Sequence, residues 1–422
     1  MINKPKGTND ILPEESYRWH FLEARIRDLT ACYGYHEIRT PIFESTELFV
    51  RGVGDGTDIV DKEMYTFQDR SERSLTLRPE GTASAVRAYI EHGLHQKEER
   101  CKLYYIGPMF RYERPQAGRF RQHYQFGLEL YGESSPWADV EVISVVSRLY
   151  AELGLSNVII NLNSIGCSGC RSEIRDTLRG FLERNLESLC EDCRRRYDKN
   201  PLRVLDCKNP QCKTIMSGSP CAIDSICPDC REHFEGVKHG LALLGIQYQI
   251  NPALVRGLDY YTRTVFEFVS TGLGAQNAVG GGGRYDNLVH ELGGPRLPAV
   301  GFSTGMERVI LTMQNENADP QNTENTELRV IALGKEAEEA AFRLTYDLRR
   351  LGLRTDMDFR NKSLKAQLRL TDKMNEHFAL IIGEAEIKER AAVLKDLAAR
   401  TESKVSLDNA EQIVKNIRGA HA

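Results

Sequence analysis

The 422-residue chain lacks the features that mark membrane proteins and histone-like proteins. No apolar run approaches the roughly 18 residues that a membrane-spanning helix requires, and the first residues contain no apolar stretch of the signal-peptide type. The 56 basic residues nearly balance the 60 acidic ones, which excludes a uniformly basic nucleic-acid binder but allows a local basic patch. We therefore expect a cytoplasmic protein without a membrane partner.

A phosphate-binding loop of the Gly-Lys-Ser/Thr type is also absent, so any nucleotide has to be held by other means. At roughly 150 residues per domain, the length suggests about three domains. Residues 314–327 contain nothing larger than Ala or Pro to bury, which is typical of a linker. We therefore predict a long part over 1–327, which ends in this linker, and a shorter part over 328–422.

The part over 328–422 alternates between strand and helix patterns. The predicted elements are a strand over 329–334, a helix over 335–351, a strand over 353–357, a helix over 363–376 and a strand over 377–383. This order predicts a small α/β domain. Within 343–369, eight basic residues stand against three Asp. That bias is consistent either with a solvated helical face or with a phosphate-contacting surface.

A predicted hairpin between residues 105 and 131 carries the most informative pattern. A strand ends near Phe110–Glu113, breakers in 114–121 form a turn, and Gln122–Tyr131 alternates between apolar and polar residues. Period-2 geometry places Gln125 and Glu129 on one face and buries the apolar residues on the other. The same polar face carries Met109, Arg111 and Glu113 of the first strand. A pattern of this kind favours a lined pocket over a wet surface, although a solvated sheet face is the simpler alternative.

Four further motifs carry polar residues next to strand or helix ends. Glu80 and Thr82 precede a predicted helix over 83–91, where ordinary helix capping is the alternative. Residues 254–267 place Arg, Asp and two Tyr before a strand. Four glycines in 280–286 permit close approach of a ligand, or form a flexible turn. Arg308 lies near a predicted helix N-terminus, where it is suited to hold a phosphate or to pair with a nearby Glu. Together they suggest phosphate handling without a P-loop.

Nine of the eleven cysteines fall between residues 167 and 230, in a segment that interrupts two strand-rich stretches. We interpret this segment, at about 165–240, as an insertion. Three Cys-x2-Cys pairs begin at residues 167, 190 and 227, and clustered thiols in a reducing compartment point first to a metal. The spacing of the first two pairs predicts a possible structural Zn²⁺ site formed by Cys167, Cys170, Cys190 and Cys193. Cys207, Cys212 and Cys221 are additional candidate ligands, and reduced structural thiols are the alternative.

In this order the motifs resemble those of the class II aminoacyl-tRNA synthetases, and within them the histidyl-tRNA synthetase family. Tyr33–Pro41 is similar to motif 1, Phe110–Glu129 to motif 2 and Gly301–Arg308 to motif 3. The stretches 256–262 and 280–286 resemble the two signatures specific to the histidine enzymes. The resemblance extends over essentially the whole chain.

The resemblance implies an α+β catalytic domain over 1–327, with an antiparallel sheet flanked by helices. It also implies a helical or mixed insertion at about 165–240 and a C-terminal α/β anticodon-binding domain over 328–422. The resemblance further implies a homodimer with Pro41 at its interface. The implied reaction activates L-histidine with ATP to histidyl-adenylate and transfers histidine to the 3′ end of tRNA(His). Zinc is not required for that chemistry.

Residue by residue, the resemblance implies that Arg111 holds the α-phosphate of ATP and Arg308 the γ-phosphate, with Glu113 at the same nucleotide. The resemblance also implies that Mg²⁺ would bridge phosphate oxygens. It implies that Arg256, like Arg111, is catalytic because it would stabilise charge on the α-phosphate. The implied histidine-binding residues are Glu80, Thr82 and Gln125 for the ammonium group, Glu129 and Tyr261 for the imidazole, and Tyr260, Gly281 and Tyr285. The implied tRNA-binding residues are Gln116, Arg119 and Arg121 at the acceptor stem and Arg360 at the anticodon stem-loop.

Two alternatives remain at this point. A non-catalytic, synthetase-like regulatory subunit of histidine biosynthesis typically lacks the anticodon domain and has degraded signatures. Here Arg256, Glu80, Arg111 and Arg308 are all present. A class II synthetase for another amino acid is disfavoured by the stretch 256–261, Arg-Gly-Leu-Asp-Tyr-Tyr.

Overall fold

The computed structural model describes residues 1–54, 57–115, 118–205, 207, 209–273, 277–360 and 362–419. The chain forms two compact units, Met1–Pro320 and Gln321–Ala422, and each is described by itself. Over the described ranges, no helix combines the length and the apolar character needed to cross a membrane.

The first unit contains a large sheet, a small sheet and flanking helices. Its strands are β1 His36–Glu37, β2 Phe43–Ser45, β3 Tyr65–Gln68, β4 Ser74–Leu77, β5 Cys101–Phe110, β6 Gln122–Tyr131, β7 Val158–Ser164, β8 Gln249–Ile250, β9 Thr262–Ser270, β10 Ala278–Arg284 and β11 Ala299–Gly305. Its α-helices are α1 Pro13–Cys32, α2 Thr46–Val53, α3 Thr82–Glu91, α4 Leu94–Lys97, α5 Pro136–Glu152, α6 Ser168–Glu183, α7 Glu191–Lys199, α8 Pro210–Met216, α9 Pro228–Leu243, α10 Leu288–Glu291 and α11 Met306–Asn315. Short 3₁₀ turns lie at Leu186–Ser188, Pro201–Val204 and Ala222–Ser225, and a π-helical turn lies at Ile59–Glu63.

The large sheet has the order β1-β5-β6-β11-β10-β9-β7-β8. All pairs from β5 to β7 are antiparallel, and the edge pairs β1–β5 and β7–β8 are parallel. The predicted fold class, an antiparallel sheet flanked by helices, is confirmed, with parallel pairing added at the two edges. The small sheet has the order β2-β4-β3.

The hairpin β5–β6 divides polar from apolar residues as its alternation predicts. Phe126, Leu128 and Leu130 are buried in the main core together with apolar residues of α1 and α5. Gln125 and Glu129 therefore belong to the opposite face, since successive side chains alternate. Strand β5 ends at Phe110, earlier than predicted, because the chain turns there. One backbone bond, from the Arg111 N–H to the Arg121 carbonyl (2.9 Å), continues the pairing.

The insertion between β7 and β8 is helical over its described part. Helices α6, α7 and α8 pack around a small shared core, which includes Leu178 and Leu182 of α6 and the nearby Val204. Helix α9 instead packs against α5, where Gly240 permits the approach: a Cβ there would lie 2.7 Å from Cγ2 of Val140. The last helix of the predicted insertion thus packs on the main core of the first unit.

The predicted linker 314–327 is ordered at its start. Helix α11 extends to Asn315, and the Glu316 carboxylate accepts the backbone N–H groups of Ser156 (2.7 Å) and Asn157 (3.1 Å). Asp319 forms an ion pair with Arg18 (2.6 Å). The polar side chains at the start of this segment therefore form hydrogen bonds and an ion pair on the surface of the first unit.

The second unit consists of β12 Leu328–Ala332, α12 Lys335–Arg350, β13 Thr355–Met357, α13 Leu364–Lys373, β14 Phe378–Ile382, α14 Glu384–Glu389, β15 Ala391–Asp396, β16 Thr401–Ser406 and α15 Ala410–Gly419. Its sheet order is β13-β12-β14-β15-β16. The predicted β-α-β-α-β series matches β12 to β14, whose pairs are parallel. The sequence analysis did not predict the antiparallel strands β15 and β16.

Candidate active site

Strands β6, β9, β10 and β11 form a floor that is rich in glycine on the face opposite the main core. Gly281 of β10 lies between Glu267 of β9 and Ser303 of β11, and Gly301 of β11 pairs with Glu129 of β6. A Cβ on Gly281 would lie 2.5 Å from a guanidinium nitrogen of Arg256, and one on Gly301 would lie 2.0 Å from a carboxylate oxygen of Glu129. The glycines thus allow charged side chains to lie directly over the backbone.

Glu129 lies at one end of this floor, within a cluster of tyrosines. The Tyr285 hydroxyl donates to Oε2 of Glu129, and the Tyr105 hydroxyl donates to Oε1 over 3.4 Å. The ring of Tyr260 lies 4.7 Å from that of Tyr261 and 5.5 Å from that of Tyr285. Burial raises the pKa of Glu129 to about 8, so this carboxyl group binds a proton at neutral pH in the free protein.

The N-terminus of α3 lies beside the middle of the floor. Glu80 accepts the backbone N–H groups of Thr82 (2.7 Å) and Ala83 (2.8 Å), so it caps the helix, as the simpler interpretation of this motif states. The side-chain oxygen of Gln125 accepts the N–H of Gly81 (3.2 Å). The structure therefore brings Glu80, Thr82 and Gln125 together, and burial raises the pKa of Glu80.

Three arginines converge at the opposite end of β6. Desolvation, together with the charges of Arg111, Arg119 and Arg308, lowers the pKa of His123 to about 3. Arg111 donates to the Pro79 carbonyl (2.7 Å), and Arg308 donates to the carbonyls of Ala278 (2.5 Å) and Gly118 (3.2 Å). Backbone carbonyls thus orient two of these guanidinium groups at this end of the strand.

Glu113 and Arg256 complete the charged groups of the site. Glu113 pairs with Arg119, and its carboxylate lies 3.9 Å from Arg111. Arg256 pairs with Glu267 over 2.5 Å while its guanidinium covers Gly281. The sequence analysis gave no role to Glu267, although a single charge within the apolar run 265–269 was a usable signal.

Tyr105 was also missed. It lies opposite Gly127 in the β5–β6 register, and a Cβ on Gly127 would lie 2.3 Å from its hydroxyl oxygen. A large polar aromatic residue opposite a glycine is the signal that could have identified it.

The proposed tRNA residues lie in both units. Arg121 stacks on Tyr112, with its guanidinium carbon 3.8 Å from the ring centroid. Gln116 lies outside the described residues. In the second unit, Arg360 forms an ion pair with Asp358 (2.8 Å). Next to it the ring of Phe359 is 70% exposed and lies 6.4 Å from the ring of Phe342.

The cysteines are grouped differently from the prediction. Cys167 and Cys170 lie with Cys227 and Cys230. Cys190 and Cys193 lie with Cys207 and Cys212. The single site predicted from the first two Cys-x2-Cys pairs is therefore wrong, because α6 separates these pairs and each finds its partners later in the chain.

Comparisons with known proteins agree over the full length of the chain. The sequence model of histidyl-tRNA synthetase matches residues 7–170 and 228–309, and that of an anticodon binding domain matches residues 327–417. A histidine–tRNA ligase of Caldanaerobacter subterraneus subsp. tengcongensis is 49% identical over 417 residues, which cover 99% of this chain and 100% of that protein. One of Thermoanaerobacter pseudethanolicus is 50% identical over 418 residues, with the same coverage.

Solved structures show the same relationship. The apo histidyl-tRNA synthetase of S. aureus superposes with a TM-score of 0.84 at 36% identity, covering 98% of this chain and 99% of that one. A Bacillus halodurans structure described as an ATP phosphoribosyltransferase regulatory subunit/histidyl-tRNA synthetase has a TM-score of 0.65 at 21% identity, covering 91% and 98% of the two chains, and this shows a shared fold alone. The chain belongs to the histidyl-tRNA synthetase family of the class II aminoacyl-tRNA synthetases.

Proposed function

We propose that the protein activates L-histidine with ATP and transfers it to the 3′ end of tRNA(His). One observation supports this most strongly: a buried, tyrosine-bound carboxyl group and an arginine cluster lie at opposite ends of one face of β6. The residues at positions 123, 125, 127 and 129 share that face at about 6.8 Å per step. An amino acid bound at Gln125 can therefore direct its side chain to Glu129 and its carboxylate toward the arginines.

Selection of histidine follows from the tyrosine cluster. Glu129 and Tyr261 hydrogen-bond the imidazole, while Tyr260, Tyr285 and the bare backbone at Gly281 define the space around it. An apolar side chain of similar size offers no hydrogen bond to the buried carboxyl group of Glu129, which then has only its tyrosine partners. Sites of this type reject such analogues by large factors. Glu80, Thr82 and Gln125 hold the α-ammonium group.

Activation of histidine needs positive charge and no protein base. Arg111 binds the α-phosphate and Arg308 the γ-phosphate of ATP. A carboxylate oxygen of histidine attacks the α-phosphorus, the bond from that phosphorus to the bridging oxygen breaks, and pyrophosphate leaves. Arg256, with Arg111, stabilises the charge that develops on the α-phosphate oxygens.

A divalent cation fits the same end of the site. Burial raises the pKa of Glu63, and the nearby negative charge of Glu113 raises it further. Carboxylates of this kind, together with phosphate oxygens, are ligands that Mg²⁺ prefers. When bound, Mg²⁺ neutralises phosphate charge.

Transfer to tRNA uses residues of both units. A hydroxyl group at the 3′ end attacks the carbonyl carbon of histidyl-adenylate, and AMP leaves. Arg119, Arg121 and Gln116 of the segment 114–121 contact the acceptor stem. Arg360 contacts the anticodon stem-loop from the domain over 328–422, which the linker 314–327 joins to the catalytic domain.

The proposed assembly is a cytoplasmic homodimer. The exposed Pro41 is followed by two apolar side chains, Ile42 (44% exposed) and Phe43 (52% exposed). The ring of Phe67, also exposed, lies 6.5 Å from that of Phe43. An exposed apolar patch of this kind is typical of a protein interface.

The test of the whole reaction is charging of a tRNA(His) transcript by the purified protein with ATP, Mg²⁺ and labelled histidine. We expect histidyl-tRNA to form and to be lost in an Arg111→Ala variant. A folded protein that binds histidine but charges no tRNA would contradict the proposal and favour the regulatory-subunit alternative.

A further inference from the structure

The insertion contains two separate groups of four cysteines. The first thiol cluster consists of Cys167, Cys170, Cys227 and Cys230, and the second consists of Cys190, Cys193, Cys207 and Cys212. Within each cluster the sulfur atoms all lie within 4.8 Å of one another. Cys221, also in the insertion, belongs to neither.

The sulfur–sulfur distances match those around a tetrahedral metal ion. The Sγ atom of Cys170 lies 3.7 Å from that of Cys167 and 3.9 Å from that of Cys230. The Sγ atoms of Cys190 and Cys207 lie 3.8 Å apart. Four thiolates about 2.3 Å from a zinc ion form a tetrahedron with edges of about 3.8 Å. A disulfide, by contrast, requires sulfur atoms about 2.05 Å apart.

The surroundings of the sulfur atoms are suited to thiolates. Cys167, Cys190 and Cys227 are the N-cap residues of α6, α7 and α9, where the helix dipole favours negative charge. Backbone N–H groups point at two of the sulfurs, from Cys227 to Cys170 (3.2 Å) and from Cys190 to Cys212 (3.3 Å). Such hydrogen bonds orient the ligands of a metal site.

We propose that each thiol cluster binds one structural Zn²⁺ ion through four thiolates. Each site is closed, since its four protein ligands leave no position for substrate or water. Zinc is favoured over harder cations because all the ligands are sulfur.

The two sites hold the catalytic segment 256–261 in place, a consequence that rests on the proposed function. Arg171 of α6, next to the first cluster, donates to the carbonyls of Asp259 (2.9 Å) and Tyr261. Between Cys193 and Cys207 of the second cluster, Arg203 donates to the carbonyl of Gly257 (2.6 Å) and Asn200 to the Asp259 carboxylate (2.9 Å). These residues act on the reaction by positioning the segment that carries Arg256.

Metal content tests the sites independently of activity. We expect two zinc ions per chain, by elemental analysis and native mass spectrometry, in full-length protein purified without added metal. The Cys212→Ser and Cys230→Ser variants should each lose one ion, while Cys221→Ser should retain two. Absence of zinc from the wild-type protein, iron in its place, or unchanged zinc in both cluster variants would overturn the proposal.

A second measurement does not depend on folding of the variants. Replacement of zinc by Co²⁺ in the wild-type protein should give the intense visible absorption of tetrahedral thiolate coordination, at two ions per chain. Octahedral spectra, or a single bound ion, would contradict two four-thiolate sites.

The positioning role is tested by histidine-dependent exchange of pyrophosphate into ATP. Arg203→Ala should retain two zinc ions but lower kcat by about tenfold to hundredfold, since small displacements of catalytic groups have effects of that size. The KM for ATP should change little, and Arg203→Lys should restore part of the rate. Unchanged kcat would refute the positioning role. Two zinc ions in a protein without any exchange would refute the proposed function and leave the metal sites standing.

Discussion

At the scale of single residues, Glu129 is the group on which the proposed selection of histidine depends most. Its carboxyl group is fully buried, accepts hydrogen bonds from two tyrosine hydroxyls, and has a pKa raised to about 8 by burial. A carboxyl group in such a place is costly to ionise and is retained where a specific ligand uses it. In this protein the ligand is the imidazole ring of histidine, according to our proposal.

This environment predicts a pH dependence of stability. The folded protein keeps the proton on Glu129 up to about pH 8, whereas the unfolded chain releases it near pH 4.5. The contribution of Glu129 to stability is therefore largest below pH 4.5 and decreases as pH rises to about 8, by up to about 1.4 kcal/mol per pH unit. A Glu129→Gln variant should gain stability relative to wild type over this window, as measured by the midpoint of thermal unfolding between pH 5 and 8.

The exposed Glu187 provides the control. A Glu187→Gln variant should follow the wild-type profile at every pH. A difference between Glu129→Gln and wild type that stays constant with pH would contradict the protonated state assigned to Glu129.

Arg256 carries the second prediction at this scale. Arg256→Ala should lower the rate of adenylate formation by about 10² to 10³, the usual effect of losing one group that stabilises transition-state charge. Histidine binding, measured by calorimetry, should change only a few-fold, because Arg256 acts on the phosphate. Arg148→Ala, at a half-exposed surface ion pair with Glu152, is the matched control and should retain full activity. Full activity in Arg256→Ala would remove the role assigned to it.

At the scale of elements, the glycine run 280–283 differs most from its simplest interpretation. The sequence allowed either a flexible turn or a close approach, and the structure forms strand β10, paired on both sides. Pairing with β9 and β11 fixes the backbone of glycines that would be conformationally flexible in isolation. The close approach is then made by the side chain of Arg256 over Gly281.

This geometry predicts different effects of two glycine substitutions. The three atoms nearest to the Cβ of Gly281→Ala belong to the flexible end of the Arg256 side chain, which can move away. The protein should therefore fold but form adenylate much more slowly. Nothing lies within 4 Å of a Cβ on the exposed Gly180 of α6, so Gly180→Ala is the control. Melting temperatures and pyrophosphate exchange rates measure the two effects. Equal exchange in both variants would argue against the contact between Arg256 and the floor.

Single strands and helices were predictable where the periodic alternation of apolar and polar residues matched the geometry of the element. The period-2 pattern of 122–131 predicted β6 and its two faces, because one face packs in the core. The grouping of the cysteines was not predictable, since a Cys-x2-Cys pair fixes only two ligands. Packing of α6 to α9 decides which other pair completes each cluster.

At the scale of the whole molecule, the two compact units predict separable functions. The second unit exposes Phe342, Tyr346 and Phe359 beside basic residues, and Arg350 lies 6.0 Å from the ring of Tyr346. Exposed aromatic rings with nearby cations are suited to stack on unpaired RNA bases. We infer that this surface contributes to anticodon binding.

Phe359→Ala should therefore raise the KM for tRNA in the charging reaction by about tenfold, since one stacked base contributes about 1–3 kcal/mol. Exchange of pyrophosphate into ATP, which needs no tRNA, should be unchanged. Phe359→Tyr keeps the aromatic ring and should restore binding. An unchanged KM for tRNA in Phe359→Ala would place the anticodon elsewhere.

The order of motifs along the chain predicted the catalytic unit and the α/β unit, but not how the strands are arranged. Strand β6 pairs with β11, which lies far along the chain, and the parallel pairs at the sheet edges leave no local pattern. The site could be assembled in advance only through the family resemblance. Contacts such as Arg203 with Gly257 depend on the packing of an insertion outside the matched family residues.

The most direct test of the central proposal is exchange of labelled pyrophosphate into ATP without tRNA, with histidine compared against the other amino acids. We predict exchange with histidine alone and its loss in Arg256→Ala. No exchange by a folded protein that binds histidine, or equal exchange with other amino acids, would contradict the assignment of this site to histidine activation.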